Sequence, residues 1–231
     1  MNTFHTNAFI LNAIKYGEKK IICRAFTEKK GLLSFIATIG KKSQRINCFQ
    51  AFTPVELHLK KKSSTSLYFG QKVSLRQNLI FDTSSITENS IRFFIAELLQ
   101  KVIKEEEQND ALFSLLEQSA FDLIKKDTKG LFTIKFINKL LEILGIAPSM
   151  NLAFGFFDLK EGEFVSNNPL HPNHLNKTNS LLLANWLKGI PPKTKQERRA
   201  LLNCMLVYLD VQLDAEVSNL KSKKVLEALF E

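Results

Sequence analysis

The chain changes its hydrophobic period once. Through its first third apolar and polar residues alternate, the pattern of a half-buried strand, and beyond Ser84 apolar residues recur at three and four, the pattern of helices with one buried face. In the first part, Ala8 to Tyr16 and Lys20 to Thr27 carry Phe9, Leu11 and Ala13, then Ile22, Arg24 and Phe26, at alternate positions. Gly17-Glu18-Lys19 separates the two runs and predicts a hairpin. A second turn at Lys29-Lys30-Gly31 leads into Leu32 to Ile39, which Gly40 and the polar run Lys41 to Arg45 end. Extended stretches follow at Thr53 to Leu59 and Gln71 to Leu79, joined through Lys60-Lys61-Lys62-Ser63-Ser64. Five short strands are too few for a two-sheet sandwich and suit a closed barrel of the OB type, although strand count alone does not separate it from an SH3-like barrel.

The helical part opens with Thr87 as a cap for a helix carrying Ile91, Phe94, Ile95, Leu98, Leu99 and Val102 on one side. Asp110 to Lys126 and Phe132 to Leu144 follow, the second stopped by Gly145 and Pro148. The stretch from Asn151 to Asn176, with Gly155, Gly162, Pro169 and Pro172, reads as irregular apart from a short hairpin around Lys160 to Gly162. Helices resume over Asn179 to Lys188, then from Lys195, where Thr194 and Glu197 fit a capping box, and the chain closes helically through Val225 to Phe230.

Charge sharpens this division. The net charge is +9, and residues 1 to 82 hold 14 Lys and Arg against 4 Asp and Glu while the remainder holds 18 against 19. An excess confined to the strand-forming part predicts a surface that meets polyanions, of which nucleic acid is the commonest. Lys19, Lys20, Lys29, Lys30, Lys41, Lys42 and Arg45 all fall at predicted strand ends, where turns of successive strands can converge on one rim. The aromatic residues between them, Tyr16, Phe26, Phe35 and Phe52, are needed first for the interior of so small a barrel. A second basic group, Arg198 and Arg199, reads as a solvated helix face or as a site for DNA or an acidic partner tail.

Other chemistries find little support. Gly40-Lys41-Lys42-Ser43 lacks the earlier glycine and the hydroxyl directly after the lysine that a phosphate-binding loop requires. Cys23, Cys48 and Cys204 are odd in number and far apart, which excludes a disulfide framework and a four-thiolate zinc site. His171 and His174 can present two imidazoles to a metal, with Asp158, Glu161 or Glu163 as a carboxylate partner, the one opening for a metal-dependent hydrolase. No serine elbow is present, no run of 18 or more residues is apolar, and the start at Met1 to His5 lacks a signal layout, so a soluble cytoplasmic protein without enzymatic activity is expected.

Several motifs occur in an order that resembles the RecO family of recombination mediators. They are Tyr16-Gly17-Glu18, Phe26-Thr27, Gly31, Gly40-Lys41-Lys42-Ser43, Gln50 to Leu57, the stretch Glu97 to Leu116 with Glu105-Glu106-Glu107, Leu144-Gly145-Ile146-Ala147-Pro148 and Leu220-Lys221-Ser222. The resemblance implies an α+β, multi-domain protein: an OB-fold nucleic-acid-binding domain over residues 1–82, then an α-helical bundle domain over 83–231 with an irregular insertion at 149–177. It also implies binding of single- and double-stranded DNA, annealing of complementary strands, and work with RecR to load RecA onto DNA coated by single-stranded DNA-binding protein, whose acidic C-terminal tail is a contact. Family DNA contacts carry over best to Lys41, Lys42 and Arg45. Many relatives hold zinc with four cysteines after the Gly-Ile-any-Pro motif, whereas residues 149 to 176 contain none, so neither zinc nor another cofactor is expected. An OB-fold protein-interaction module without DNA binding is the alternative.

Overall fold

The structure is a computed structural model that describes residues 2–38, 47–61, 67–104, 107–125, 130–149 and 155–229. The chain divides into two compact units, Met1–Asp127 and Thr128–Glu231.

The first unit holds strands β1 (Asn2–Tyr16), β2 (Lys20–Thr27), β3 (Gly31–Thr38), β4 (Thr53–Lys61) and β5 (Tyr68–Leu75), then helices α1 (Ile86–Val102) and α2 (Asp110–Ile124). The strands close into a barrel in the order β1-β2-β3-β5-β4, with β3 and β5 parallel, which is the OB arrangement. Closure depends on β1, which begins at Asn2 and not at Ala8. Its first part, Asn2 to Ile10, pairs with β4, and its second, Ala8 to Tyr16, pairs with β2. The extra residues alternate Thr3, His5 and Asn7 with Phe4 and Thr6, too polar a run to read as a strand from its own sequence.

A bulge then decides which side chains enter the barrel. Ile10 pairs with Ala25 and Asn12 with Arg24, leaving Leu11 as the extra residue. Ala8 and Ile10 therefore line the interior, joined by Ala13 beyond the bulge, with Ile21, Cys23, Ala25, Leu33, Phe35, Ala37, Val55, Leu57 and Leu59. Phe9 and Leu11 face outward yet stay buried, Phe9 stacking on Phe52 at 5.0 Å and meeting Phe113 of α2 at 5.7 Å. Gln100 of α1 donates Nε2 to the Leu11 carbonyl at 3.0 Å and so satisfies a group at the bulge. Phe26, Phe35 and Phe52 are core residues, as their place in a small barrel demands, whereas Tyr16 is 56% exposed.

The fifth strand lies earlier than its pattern predicts, at Tyr68–Leu75 and not Gln71 to Leu79. A second bulge is the reason: His58 pairs with Lys72 and Leu59 with Gly70, so Gln71 is extra and the alternation shifts there. At the strand's end Arg76 forms an ion pair with Glu117 of α2.

Helix α1 is capped by Ser85, whose hydroxyl accepts from the Glu88 N–H at 3.3 Å, and Thr87 falls inside the first turn. Arg92 of α1, 3% exposed, donates to the Ala51 carbonyl at 3.1 Å and the Thr53 hydroxyl at 2.9 Å, and lies over the Phe81 ring at 4.3 Å. Burial pushes its guanidinium down to about 10, against the raising influence of Glu88, so it stays charged at neutral pH.

The second unit contains α3 (Phe132–Ile143), β6 (Phe156–Asp158), β7 (Glu163–Val165), β8 (His174–Leu175), α4 (Lys177–Leu187), α5 (Lys195–Leu213) and α6 (Lys221–Leu229). The segment read as irregular is a three-stranded antiparallel sheet in the order β7-β6-β8, and its hairpin turns through Leu159 to Gly162. Gly162 (φ +69°) is needed there, because a Cβ would stand 2.5 Å from the Tyr208 hydroxyl of α5. Phe157 packs against Phe164 at 4.9 Å and Tyr208 at 5.3 Å, a small aromatic core. Asn176 caps α4, which starts two residues before the predicted Asn179, and the capping box of Thr194 and Glu197 opens α5. Helix α6 begins at Lys221 and not at Val225. No helix among the described residues is long and apolar enough to cross a membrane.

Replacing Arg92 by Ala strands the Ala51 carbonyl and empties a packed site, so the variant should lose about 3 kcal/mol of stability. Urea unfolding followed by circular dichroism measures it, and a loss below about 1 kcal/mol would show that the guanidinium does not fasten α1 to the barrel.

Candidate nucleic-acid interface

Because the interior takes alternate residues of β2 and β3, the residues between them form an outer face. Cross-strand register sets Ile14, Ile22, Ile36 and Phe69 in one row over β1, β2, β3 and β5. Tyr16, Lys20 and Thr38 form the next row on one side, and Asn12, Arg24 and Ser34 the row on the other. Ile14 is 60% exposed. An apolar strip with an exposed tyrosine, bordered by Lys19 in the turn and by Lys20 and Arg24 on β2, offers stacking surface and phosphate contacts together. The outer strand 2–3 face of an OB barrel is also where that fold takes oligonucleotides.

The four described lysines of the predicted rim do not converge. Lys19 and Lys20 stand at the end of β2 that pairs with Thr38, and Lys29 and Lys30 follow Thr27 at its other end. Successive turns of an antiparallel meander fall at opposite ends, here separated by seven steps of about 3.3 Å, roughly 23 Å. At that far end Lys30 Nζ lies 5.6 Å from the Phe4 ring, Phe4 meets Tyr68 edge-on at 5.5 Å, and Lys61 Nζ lies 5.3 Å from Tyr68. These lysines cover the aromatic end of the barrel core. Lys41, Lys42 and Arg45 lie outside the described residues, as does the Gly40 to Ser43 motif, and Thr38 is the last described residue before them.

Arg24, Ile14, Ile36 and Phe69 were not evident as site residues. Arg24 sits in mid-strand, where a lone cation among apolar neighbours carries no turn signal, and its relation to Phe69 comes from the parallel pairing of β3 with β5.

In the second unit, Arg198 and Arg199 stand early in α5 beside a cleft. Thr133 and Ile134 of α3, Leu202 of α5 and Leu226 of α6 form its floor, with Lys195, Arg198 and Arg199 at the edge. Gly130 (φ +65°) adjoins the Arg198 side chain, whose Nε would stand 3.4 Å from a Cβ there. Three cations around an apolar floor fit an acidic peptide with an apolar end.

The remaining candidates serve structure. Among the described residues no group of three or more His, Cys, Asp and Glu side chains gathers as a metal site. His171 Nε2 lies 3.0 Å from Asp158 Oδ2, and His174 Nδ1 donates to the His171 carbonyl at 2.7 Å, so both imidazoles hold the loop between β7 and β8. Asp158 Oδ1 accepts from the backbone N–H of Lys160 at 2.8 Å and of Glu161 at 3.3 Å. Burial by itself raises this carboxyl, but those two N–H groups and His171 outweigh it and hold the group below the usual range. All three cysteines are buried. Burial pushes Cys23 up to about 12 and Cys204 up to about 11, away from any role as nucleophile or ligand.

Two family models together match most of the chain. The model described as "Recombination protein O N terminal" matches residues 1–79, and the one described as "Recombination protein O C terminal" matches residues 83–220. The chain is 30% identical over 234 residues to a protein named DNA repair protein RecO from Flavobacterium psychrophilum, covering 97% of this chain and 98% of the relative. A protein of the same name from Flavobacterium johnsoniae is 25% identical over 97% of this chain and 98% of its own length. A third, from Christiangramia forsetii, is 29% identical over 69% of each.

The depressed Asp158 carboxyl stabilises the fold fully above the ordinary carboxyl value near ~3.9, and that stability is lost as pH falls through the lower folded value. Asp158→Asn should therefore cost about 1–3 kcal/mol near neutral pH, with the gap to the native protein narrowing in acid. Chemical denaturation of both proteins at the two pH values measures this, and a gap that widens in acid contradicts the assignment.

Proposed function

The chain belongs to the RecO family and has a role in DNA repair and recombination, and we propose that it fills this role as a DNA-binding mediator without catalysis of its own. It binds single- and double-stranded DNA through the barrel, anneals complementary strands, and works with RecR to load RecA onto DNA coated by single-stranded DNA-binding protein. Its place is the cytoplasm, at the nucleoid.

The observation that carries this reading is the outer barrel face on which Ile14, Tyr16, Ile22, Ile36 and Phe69 are bordered by Lys19, Lys20 and Arg24. Unpaired bases lie against the apolar strip, and their phosphates meet the cations, with no base-edge readout. Binding of this kind tolerates sequence and weakens with salt, because each neutralised phosphate releases counterions. Lys41, Lys42 and Arg45, which follow Thr38 in the chain, extend the same contact. Lys29 and Lys30 belong to a separate end of the barrel and contribute less to this strand. Annealing needs the repulsion between two phosphate backbones to be lowered, and a barrel-forming segment with 14 basic against 4 acidic residues supplies that.

The cleft edged by Lys195, Arg198 and Arg199 is the proposed seat of the acidic tail of single-stranded DNA-binding protein. Apolar tail residues rest on Ile134, Leu202 and Leu226 while its carboxylates meet the guanidinium groups.

Replacing Lys19, Lys20 and Arg24 together by Ala should weaken binding of a single-stranded oligonucleotide and lower the slope of log affinity against log salt by about 2, three contacts at about 0.7 each. Fluorescence anisotropy across a salt series reads both, and an unchanged slope would place the DNA elsewhere. Arg198→Ala with Arg199→Ala should reduce binding of a synthetic acidic-tail peptide by at least about tenfold, near 1.4 kcal/mol, while leaving DNA affinity within about twofold. Peptide binding that survives the double substitution would empty the cleft of this role.

A further inference from the structure

We propose that His5 and His58 form a two-imidazole site for a divalent transition ion of tetragonal preference, Cu2+ or Ni2+, on the seam where β1 closes the barrel against β4. The two residues are direct cross-strand partners. Their ring centroids lie 4.4 Å apart with the planes inclined at 52°. His5 is exposed and His58 half-buried, and both follow the outward set of the alternation, since Phe4, Leu57 and Leu59 on either side pack in the core.

The spacing favours an ion that takes its ligands at right angles. A metal–nitrogen bond of about 2.0–2.1 Å puts each ring centre about 3.2 Å from the metal, so two rings at right angles around one ion have centres about 4.5 Å apart, and at the tetrahedral angle about 5.2 Å. The observed 4.4 Å brings the rings within reach of one ion and lies nearer the right-angle separation. Tetragonal geometry with nitrogen donors is the preference of Cu2+ and Ni2+, with Cu2+ the tighter, and water fills the other positions.

The rings are also uncommitted in a way that the other two histidines are not. His171 and His174 are tied to Asp158 and to a backbone carbonyl, whereas no hydrogen bond joins His5 or His58 to a described residue. Around the pair, Thr3 and Asn7 lie on β1, Glu56 and Lys60 on β4, and Lys72 pairs with His58 from β5. The two lysines oppose a cation and Glu56 offsets one of them, which sets the site at modest affinity. Occupancy ties the amino-terminal half of β1 to its partner and adds two positive charges to the barrel wall.

Full-length protein stripped by chelator and dialysed into a non-coordinating buffer at neutral pH is titrated with CuCl2, followed by calorimetry and by electron paramagnetic resonance. One equivalent should bind with the signature of two imidazole nitrogens, and the ion should raise the thermal midpoint because it binds only where the strands are paired. His5→Gln and His58→Gln should each lower the affinity at least tenfold and abolish the thermal shift, and both variants should keep the thermal midpoint of the metal-free protein. Unchanged affinity in either variant, loss in His5→Gln alone, or no one-equivalent binding by the native protein overturns the proposal.

Discussion

The double use of β1 is the constraint on which the first unit rests. A sheet of five strands closes only when every strand is paired along both edges, and Asn2–Tyr16 is long enough to give its first half to β4 and its second half to β2. Around Ala8 to Ile10 the two pairings overlap, and directly after them the bulge at Leu11 bends the strand. That bulge also sets the side-chain parity. With Ile10 inside and Leu11 outside, Phe9 and Leu11 turn away from the barrel axis and give the helices an apolar surface. Gln100 and Arg92, both on α1, hold backbone carbonyls at Leu11 and Ala51. The helix is fastened through polar groups that would be costly to bury without it.

From the same parity follows the outer face proposed to meet DNA. Each residue sent inward on β2 and β3 leaves its neighbour outward, so a packed interior of Cys23, Ala25, Leu33 and Phe35 entails an exterior of Ile22, Arg24, Ser34 and Ile36. Outer face and core are two sides of one alternation. The charge follows a different rule. In a meander the turns alternate between ends, so lysines that crowd the sequence are separated in space, with Lys19 and Lys20 beside the apolar strip, and Lys29 and Lys30 at the opposite end, where Lys30 lies over Phe4.

In the second unit an aromatic cluster holds the small sheet against α5. Phe157, Phe164 and Tyr208 pack where a small sheet needs a centre, and Asp158 draws together the turn at Lys160 and Glu161 and the loop at His171. Burying aromatic surface and pairing one carboxylate with fixed N–H donors hold this segment together by packing and hydrogen bonding.

Much of this was legible in the chain itself. The change of period near Ser84, the hairpin at Gly17, the turn at Gly31 and the capping box at Thr194 depend on residues a few positions apart, and those short-range preferences survive in the folded state. So does the segregation of positive charge into the strand-forming part, which is a property of composition. What tertiary structure decided is everything set by pairing between distant residues: the start of β1 at Asn2, the bulges at Leu11 and Gln71, the row from Ile14 to Phe69, the separation of the two lysine turns and the juxtaposition of His5 with His58. Register is chosen by the whole closed barrel, because a slip of one residue would turn every side chain of a strand to its other face, and no local window contains that information.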